Sequence, residues 1–245
     1  MSDVMRIFLD LAQVLTPYGH EHLLHRYIPM PHRIDSFGNV FVQVGQSPTV
    51  MFASHMDTYP LIDDVGPVDI RWSRGMLATD GTTNLGADDR AGMALMIDMI
   101  NHDVPGLYAF FVGEELGRLG SINAAEQWGA NRHSDTVRAV VAFDRRGTTS
   151  IITHQRGIET CPLSTAQRIA SALNAHGMNY APDPSGGSCD SRSFVGIGQI
   201  DICTNIAVGF HDEHTVHERL DISHLTRLSV AARAVNWSDL TSTAD

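Results

Sequence analysis

The residues of this chain best equipped for chemistry are His55 and Asp57, Asp88 and Asp89, Glu114 and Glu115, Asp144, and the run 209–218, which holds His211, His214, His217, Asp212, Glu213 and Glu218. A neutral imidazole is a good zinc ligand, and a carboxylate two residues on lies on the same side of the chain, where it can hold the other ring N–H and fix the tautomer. Of two adjacent glutamates, one can bind a metal while its neighbour, pointing elsewhere, stays free to move a proton. Taken singly, each group has a plainer reading: a loop histidine at His55, a helix N-cap at one of Asp88 and Asp89, a solvated pair at Glu114 and Glu115, a turn with a surface ion pair at Asp144. Five such groups, all offering imidazole nitrogen or carboxylate oxygen, point jointly to metal binding.

The elements that must position them follow from hydrophobic period and turn residues. Residues 1–15 carry apolar side chains at helical spacing, Thr16-Pro17-Tyr18-Gly19 breaks the pattern, and 20–27 reads as a second helical stretch. Strands are expected at 39–44 and 49–54, the latter apolar on both faces and so central. A buried helix over 90–101 then leads through Pro105-Gly106 into a strand at 107–112. Alternation continues with a helix at 121–128, strands at 137–143 and 151–153, a helix at 163–176, a strand at 200–208 and a closing helix at 222–237. Such alternation predicts an α/β fold, a three-layer α/β/α sandwich around a mostly parallel central sheet. In such sheets functional groups gather at the carboxyl ends of strands, and each candidate group follows a strand or opens the helix after one.

Composition narrows the partners. With 17 Lys and Arg against 28 Asp and Glu, the formal charge of −11 opposes nucleic-acid binding. Cys161, Cys189 and Cys203 are too few and too irregularly spaced for a disulfide framework and read as buried thiols in a reducing compartment. No run approaches the roughly 20 apolar residues of a membrane span, and the N-terminal stretch is amphipathic and unlike a signal peptide; a cytoplasmic location is expected.

In their order and spacing, His55-x-Asp57, Gly86-x-Asp88-Asp89-x-Ala91-Gly92, Glu114-Glu115-x-Gly117, Asp144 and His214-Thr-x-x-Glu218 resemble the co-catalytic di-zinc exopeptidases. That superfamily includes peptidase T-like tripeptidases, carboxypeptidase G-like enzymes, aminoacylases and glutamyl/leucyl aminopeptidases. The match runs from about residue 35 to 225, and the set is far more specific than any member.

The resemblance implies two zinc ions, with cobalt or manganese as substitutes, bridged by Asp88. His55 and Asp144 would complete one ligand set, and Glu115 and His214 the other. Asp57 would orient His55, Glu114 would be the general base, and the Asp88-Asp89 peptide bond would be cis. Among the three loop histidines, only His214 has a glutamate four positions on, as the family pattern requires; His217 is the second choice, and His211 lies in the same loop. His20, His22 and His25 lack the HExxH order and read as helix surface.

Many relatives insert a lid or dimerisation domain, but only about 40 residues separate Asp144 from Gly186-Gly187-Ser188, so one catalytic domain over 1–245 without that lid is expected. Arg192 is a candidate for holding a substrate carboxylate, with a plain surface arginine as the alternative. The expected activity is that of a di-zinc metallohydrolase, an aminopeptidase or small-peptide exopeptidase. A deacylase of N-acyl amino acids using the same site is the alternative, and an inactive binding or scaffold protein the third. The substrate, native metal and oligomeric state stay open, a homo-oligomer included.

Overall fold

Along three strands, side chains alternate between two apolar layers, as a sheet covered on both faces requires. Val50 and Phe52, Tyr108 and Phe110, and Val141 and Phe143 face one layer; Met51 and Ala53, Leu107 and Ala109, and Val140 and Ala142 face the other. A fully buried side chain of this size stabilises the fold by roughly 1.5–3 kcal/mol.

The computed structural model describes residues 1–61, 66–130 and 133–240. In chain order the elements are α1 (Asp3–Leu11), a 3₁₀ helix (Glu21–Tyr27), β1 (Arg33–Ile34), β2 (Val40–Val44), β3 (Val50–His55), β4 (Arg71–Ser73), β5 (Met76–Ala78), α2 (Ala87–Asn101), β6 (Gly106–Phe111) and α3 (Leu119–Glu126). There follow β7 (Ala139–Arg145), β8 (Ser150–Ile152), β9 (His154–Gln155), β10 (Ile158–Glu159), α4 (Leu163–Asn174), β11 (Ala181–Asp183), a 3₁₀ helix (Asp190–Phe194), β12 (Ile202–Ala207), β13 (Phe210–His211), β14 (Arg219–Asp221), α5 (Ile222–Ala234) and α6 (Trp237–Leu240).

The main sheet has the order β1-β2-β6-β3-β7-β12-β8-β11. Its centre, β6-β3-β7-β12, is parallel, whereas β2 joins β6 and β8 joins β12 antiparallel. Helices α1, α2, α4 and α5 share the first apolar layer, while α3 and the 3₁₀ helix Asp190–Phe194 cover the second. This is the expected three-layer α/β/α sandwich.

Several features depart from the expected elements: α1 ends at Leu11, short of residue 15, and the closing helix breaks into α5 and α6. Residues 21–27 form a 3₁₀ helix, not an α-helix, and bury only Glu21 and Leu24. A separate four-stranded antiparallel sheet, β4-β5-β14-β13, was not foreseen, because β4 is exposed on both faces and shows no alternation. Residues 146–185 return to the main sheet as β8, α4 and β11, with the hairpin β9-β10 between.

Helix α2 is buried on all sides and lies against β3 and β7 as well as α1 and α5. Its approach to β7 demands glycine: a Cβ on Gly92 would sit 2.1 Å from the Phe143 carbonyl oxygen and 2.6 Å from Asp89 Oδ1. That close packing brings the start of α2 level with the carboxyl ends of β3 and β7.

Candidate metal centre

Strand register sets the first part of the site. His55, the last residue of β3, pairs with Phe111 at the end of β6, so the turn carrying Glu114 and Glu115 leaves the sheet beside it. Asp57 is wholly buried and ties the two segments together: Oδ1 accepts the Glu114 N–H and Oδ2 the Glu115 N–H, each at 3.0 Å. With that carboxylate engaged, His55 Nδ1 lies closer to the Asp57 backbone oxygen, at 2.9 Å, than to Asp57 Oδ1, at 3.4 Å. Asp57 therefore holds the ring mainly through its carbonyl, and Nε2 is left facing Asp88 Oδ1 at 3.0 Å.

The adjacent aspartates separate cleanly. Asp89 faces inward: Oδ1 accepts the Gly92 N–H at 3.1 Å, capping α2, and Oδ2 accepts the His55 N–H at 3.3 Å. Asp88 faces the site. Gly86, in the left-handed region at φ 69°, turns the chain into the loop, and the Asp88-Asp89 bond is cis, as the resemblance implied. Glu218, 1% exposed, receives the N–H groups of Gly86 and Asp88 at 2.7 and 2.8 Å. Its importance was visible in the sequence only as part of the family pattern.

Asp88 Oδ2 lies 3.3 Å from His214 Nε2, and the same nitrogen lies 3.0 Å from Glu115 Oε2. The His214 ring stacks on Tyr59, with centroids 4.2 Å apart and planes 9° from parallel. Of the three loop histidines, His214 is the one brought to the cluster; His211 belongs to β13, paired with β14, and His217 is exposed. Asp144 is fixed through its backbone, its N–H donating to Asn205 Oδ1 at 2.9 Å and its carbonyl accepting from Asn205 Nδ2 at 2.8 Å. Its Oδ1 stands 3.9 Å from His55 Nε2.

The donor set suits divalent cations. Among the described residues, ligand atoms within 4.8 Å of one another occur in the triads His55-Asp88-Glu115 and His55-Asp89-Asp144. Because Asp89 already accepts from Gly92 and His55, Asp88 is the better partner for Asp144. Glu115 Oε1 is buried without a hydrogen-bond partner. Electrostatics agree with the geometry. Burial and the neighbouring Asp88 raise Asp144, and burial raises Glu115 above the usual carboxylate range. Burial pushes Glu114 up to about 9, with Asp190, Asp88 and Glu115 adding to the effect. Burial disfavours charge on His214, yet hydrogen bonds to Asp88 and Glu115 hold it up to about 10. Carboxylates crowded this way are relieved by cations.

Two further buried groups were missed. Arg90 is wholly buried, donating to the Met56 carbonyl at 2.9 Å and to Thr16 Oγ1, with burial lowering it to about 10. Asp190 is buried, and burial pushes it up to about 6. Neither belongs to a run of like residues that could have flagged it. Arg192 does not line the cavity beside the cluster; Arg145 and Arg146 do.

Residues 39–236 match the profile of peptidase family M28. Over 83 residues, 31% of this chain, the sequence is 42% identical to the uncharacterized protein YqjE of Bacillus subtilis (strain 168), and the match spans only 22% of that protein's length. The fold is similar to that of aminopeptidase PepT from Bacillus cereus ATCC 10987, with a TM-score of 0.76 and 18% identity over 95% of this chain and 96% of that one. It is also similar to Pyrococcus horikoshii TET1 peptidase, with a TM-score of 0.73 and 16% identity over 94% and 98% of the two chains. A tripeptidase from Staphylococcus aureus subsp. aureus Mu50 gives a TM-score of 0.70 and 16% identity over 94% and 96%.

Proposed function

Because the chain belongs to peptidase family M28, a family of metal-dependent peptidases, we propose that it is a di-zinc exopeptidase of the aminopeptidase type whose two metal sites meet at Asp88. One observation carries this reading: the two oxygens of Asp88 face imidazoles from different elements, His55 at 3.0 Å and His214 at 3.3 Å. Asp88, His55 and Asp144 would hold one ion, and Asp88, Glu115 and His214 the other; so oxygen-rich a set also suits Co²⁺ or Mn²⁺. When bound, the ions would acidify a water molecule and polarise the scissile carbonyl.

The protein's own groups do the rest. Glu114, half-buried beside the cluster, takes the proton of the attacking water and returns it to the leaving amine. Without cations its carboxyl is pushed up to about 9, chiefly by burial. Bound cations alongside would lower it from there. Asp57 positions Glu114 and Glu115 through their N–H groups and keeps His55 Nε2 turned to the ion.

The return of residues 146–185 to the main sheet supports a single catalytic domain without an inserted lid. No helix among the described residues is long and apolar enough to cross a membrane, and the three buried free cysteines suit the cytoplasm. Pyrococcus horikoshii TET1 peptidase is described as assembling into a tetrahedron or a large octahedral shell; self-association of this chain is the corresponding proposal, checked by sedimentation.

The test is to strip the protein of metal, restore Zn²⁺, Co²⁺ or Mn²⁺ in turn, and assay amino-acid p-nitroanilides, dipeptides and N-acetyl amino acids. Metal-dependent release of N-terminal residues supports the reading. Cleavage of N-acetyl amino acids alone moves the site to the deacylases, and metal binding without any hydrolysis leaves a binding or scaffold protein.

A further inference from the structure

A cavity of about 290 Å³ opens at the cluster, lined in part by Asp88, Glu115 and His214. Its volume lies at the lower end for ligand pockets and suits a di- or tripeptide. Arg145, the Gly186-Gly187-Ser188 turn, Asn205 and Gln155 also line it.

The polar groups among these are not equally free. Asn205 spends its amide on the Asp144 backbone. Gln155 Oε1 accepts the Cys189 N–H at 3.2 Å, and its Nε2 donates to Ser191 Oγ at 2.9 Å. At the rim, Arg146 donates to Glu213 at 2.9 Å. What remains, among the described residues, is Arg145 Nε and Ser188 Oγ, both shielded from solvent and both without a hydrogen-bond partner.

Arg145 is held only loosely. Its Nη2 reaches the Ser185 carbonyl at 3.4 Å and Asp183 Oδ2 at 3.7 Å, and that Asp183 carboxylate already accepts from Ser150 Oγ, Ser185 N and Ser185 Oγ. Its side chain is 18% exposed. A half-buried guanidinium whose Nε is unpartnered and a hydroxyl likewise unpartnered are matched by a planar anion with two acceptor oxygens.

We propose that Arg145 and Ser188 form a carboxylate subsite, so that preferred substrates are short peptides with a free carboxylate close to the scissile bond. The carboxylate belongs either to the C-terminus of a dipeptide or to an acidic side chain. The proposal rests on the peptidase reading, and it transfers carboxylate recognition from Arg192 to Arg145.

The test compares kcat/KM for leucyl-alanine, leucyl-alanine amide and leucyl-glutamate amide in the metal-loaded protein and in Arg145→Gln, Arg145→Lys and Ser188→Ala. Wild type is expected to favour a carboxylate-bearing peptide over leucyl-alanine amide by about ten- to a hundredfold, mostly through KM. An advantage confined to leucyl-alanine assigns the α-carboxylate, and one shown by leucyl-glutamate amide assigns the acidic side chain. In Arg145→Gln the ratio falls to within about twofold of one, with partial recovery in Arg145→Lys, which keeps the charge without the fork. The same ratio is read without turnover from calorimetric binding of the reduced-bond analogues, so damage to Asp144 next door does not mimic the result.

A wild-type ratio near one, or a ratio that Arg145→Gln preserves, overturns the subsite and leaves the peptidase reading standing. Failure of the wild-type protein to cleave any peptide with any of the three metals overturns both.

Discussion

The carboxylate of Glu218 accepts the backbone N–H of Asp88 at 2.8 Å and that of Gly86 at 2.7 Å, binding the loop that presents Asp88 to the far end of the loop that presents His214. Side chains from positions 88 and 214 meet because the two loops are clamped at this point. In Glu218→Gln the amide keeps the volume but turns a donor toward one of the two N–H groups. Zinc affinity should fall about 10- to 100-fold with the fold intact, as when a residue supporting a ligand is altered. Calorimetric zinc titration and circular dichroism check this; unchanged affinity would show the clamp to be dispensable.

Glu114 is assigned the proton transfer and no metal. Glu114→Gln should lower kcat by about 10²–10⁴-fold or more while the bound-metal stoichiometry stays as in wild type. Turnover and elemental analysis on the same sample settle the matter, and full activity would remove Glu114 from the mechanism.

Metal binding should be strongly pH-dependent. Hydrogen bonds to Asp88 and Glu115, outweighing burial, hold His214 up to about 10, so the metal-free protein keeps that imidazole protonated at neutral pH. A cation must expel the proton to use Nε2, so affinity rises with pH and weakens as pH falls, by about tenfold per unit for each proton released. Titrations at pH 6, 7 and 8, in buffers of different ionisation enthalpy, measure both slope and proton count. A flat profile would contradict the assignment of His214.

His224 supplies a pH effect on folding away from the cluster. Burial lowers it to about 4, while its Nε2 lies 2.9 Å from the Tyr180 hydroxyl and 3.3 Å from the Ala207 carbonyl. Between about pH 6.5 and 4 the unfolded chain binds this proton and the folded chain does not, so stability is complete above that window and declines as pH drops through it. The full swing is about 3 kcal/mol. Urea unfolding of His224→Gln should lose this part of the acid dependence; a curve parallel to wild type would show that His224 does not drive it.

Much of the fold was legible because its cues are local. Apolar runs such as 49–54 and the long apolar helix after Arg90 pointed to a sheet covered on both faces. The candidate ligands were legible for a related reason, since each follows a strand of the parallel centre or opens the helix behind it. The division of labour between Asp88 and Asp89 was half legible: the residues alone said that one of them caps a helix, the resemblance gave Asp88 to the metals, and the hydrogen bonds of Asp89 to Gly92 and His55 show which one caps. Asp190 and Arg90 were opaque, because what distinguishes them is burial among charges distant in sequence. The sheet β4-β5-β14-β13 was opaque because an exposed edge strand leaves no periodic trace.

The central claim is that Asp88 is shared by two ions. Anomalous diffraction at the zinc edge from crystals of the zinc-loaded protein tests it most directly. Two peaks about 3.5–4 Å apart, with one oxygen of Asp88 on each, are the expected result. A single peak, or two peaks with Asp88 bound to only one of them, would contradict it.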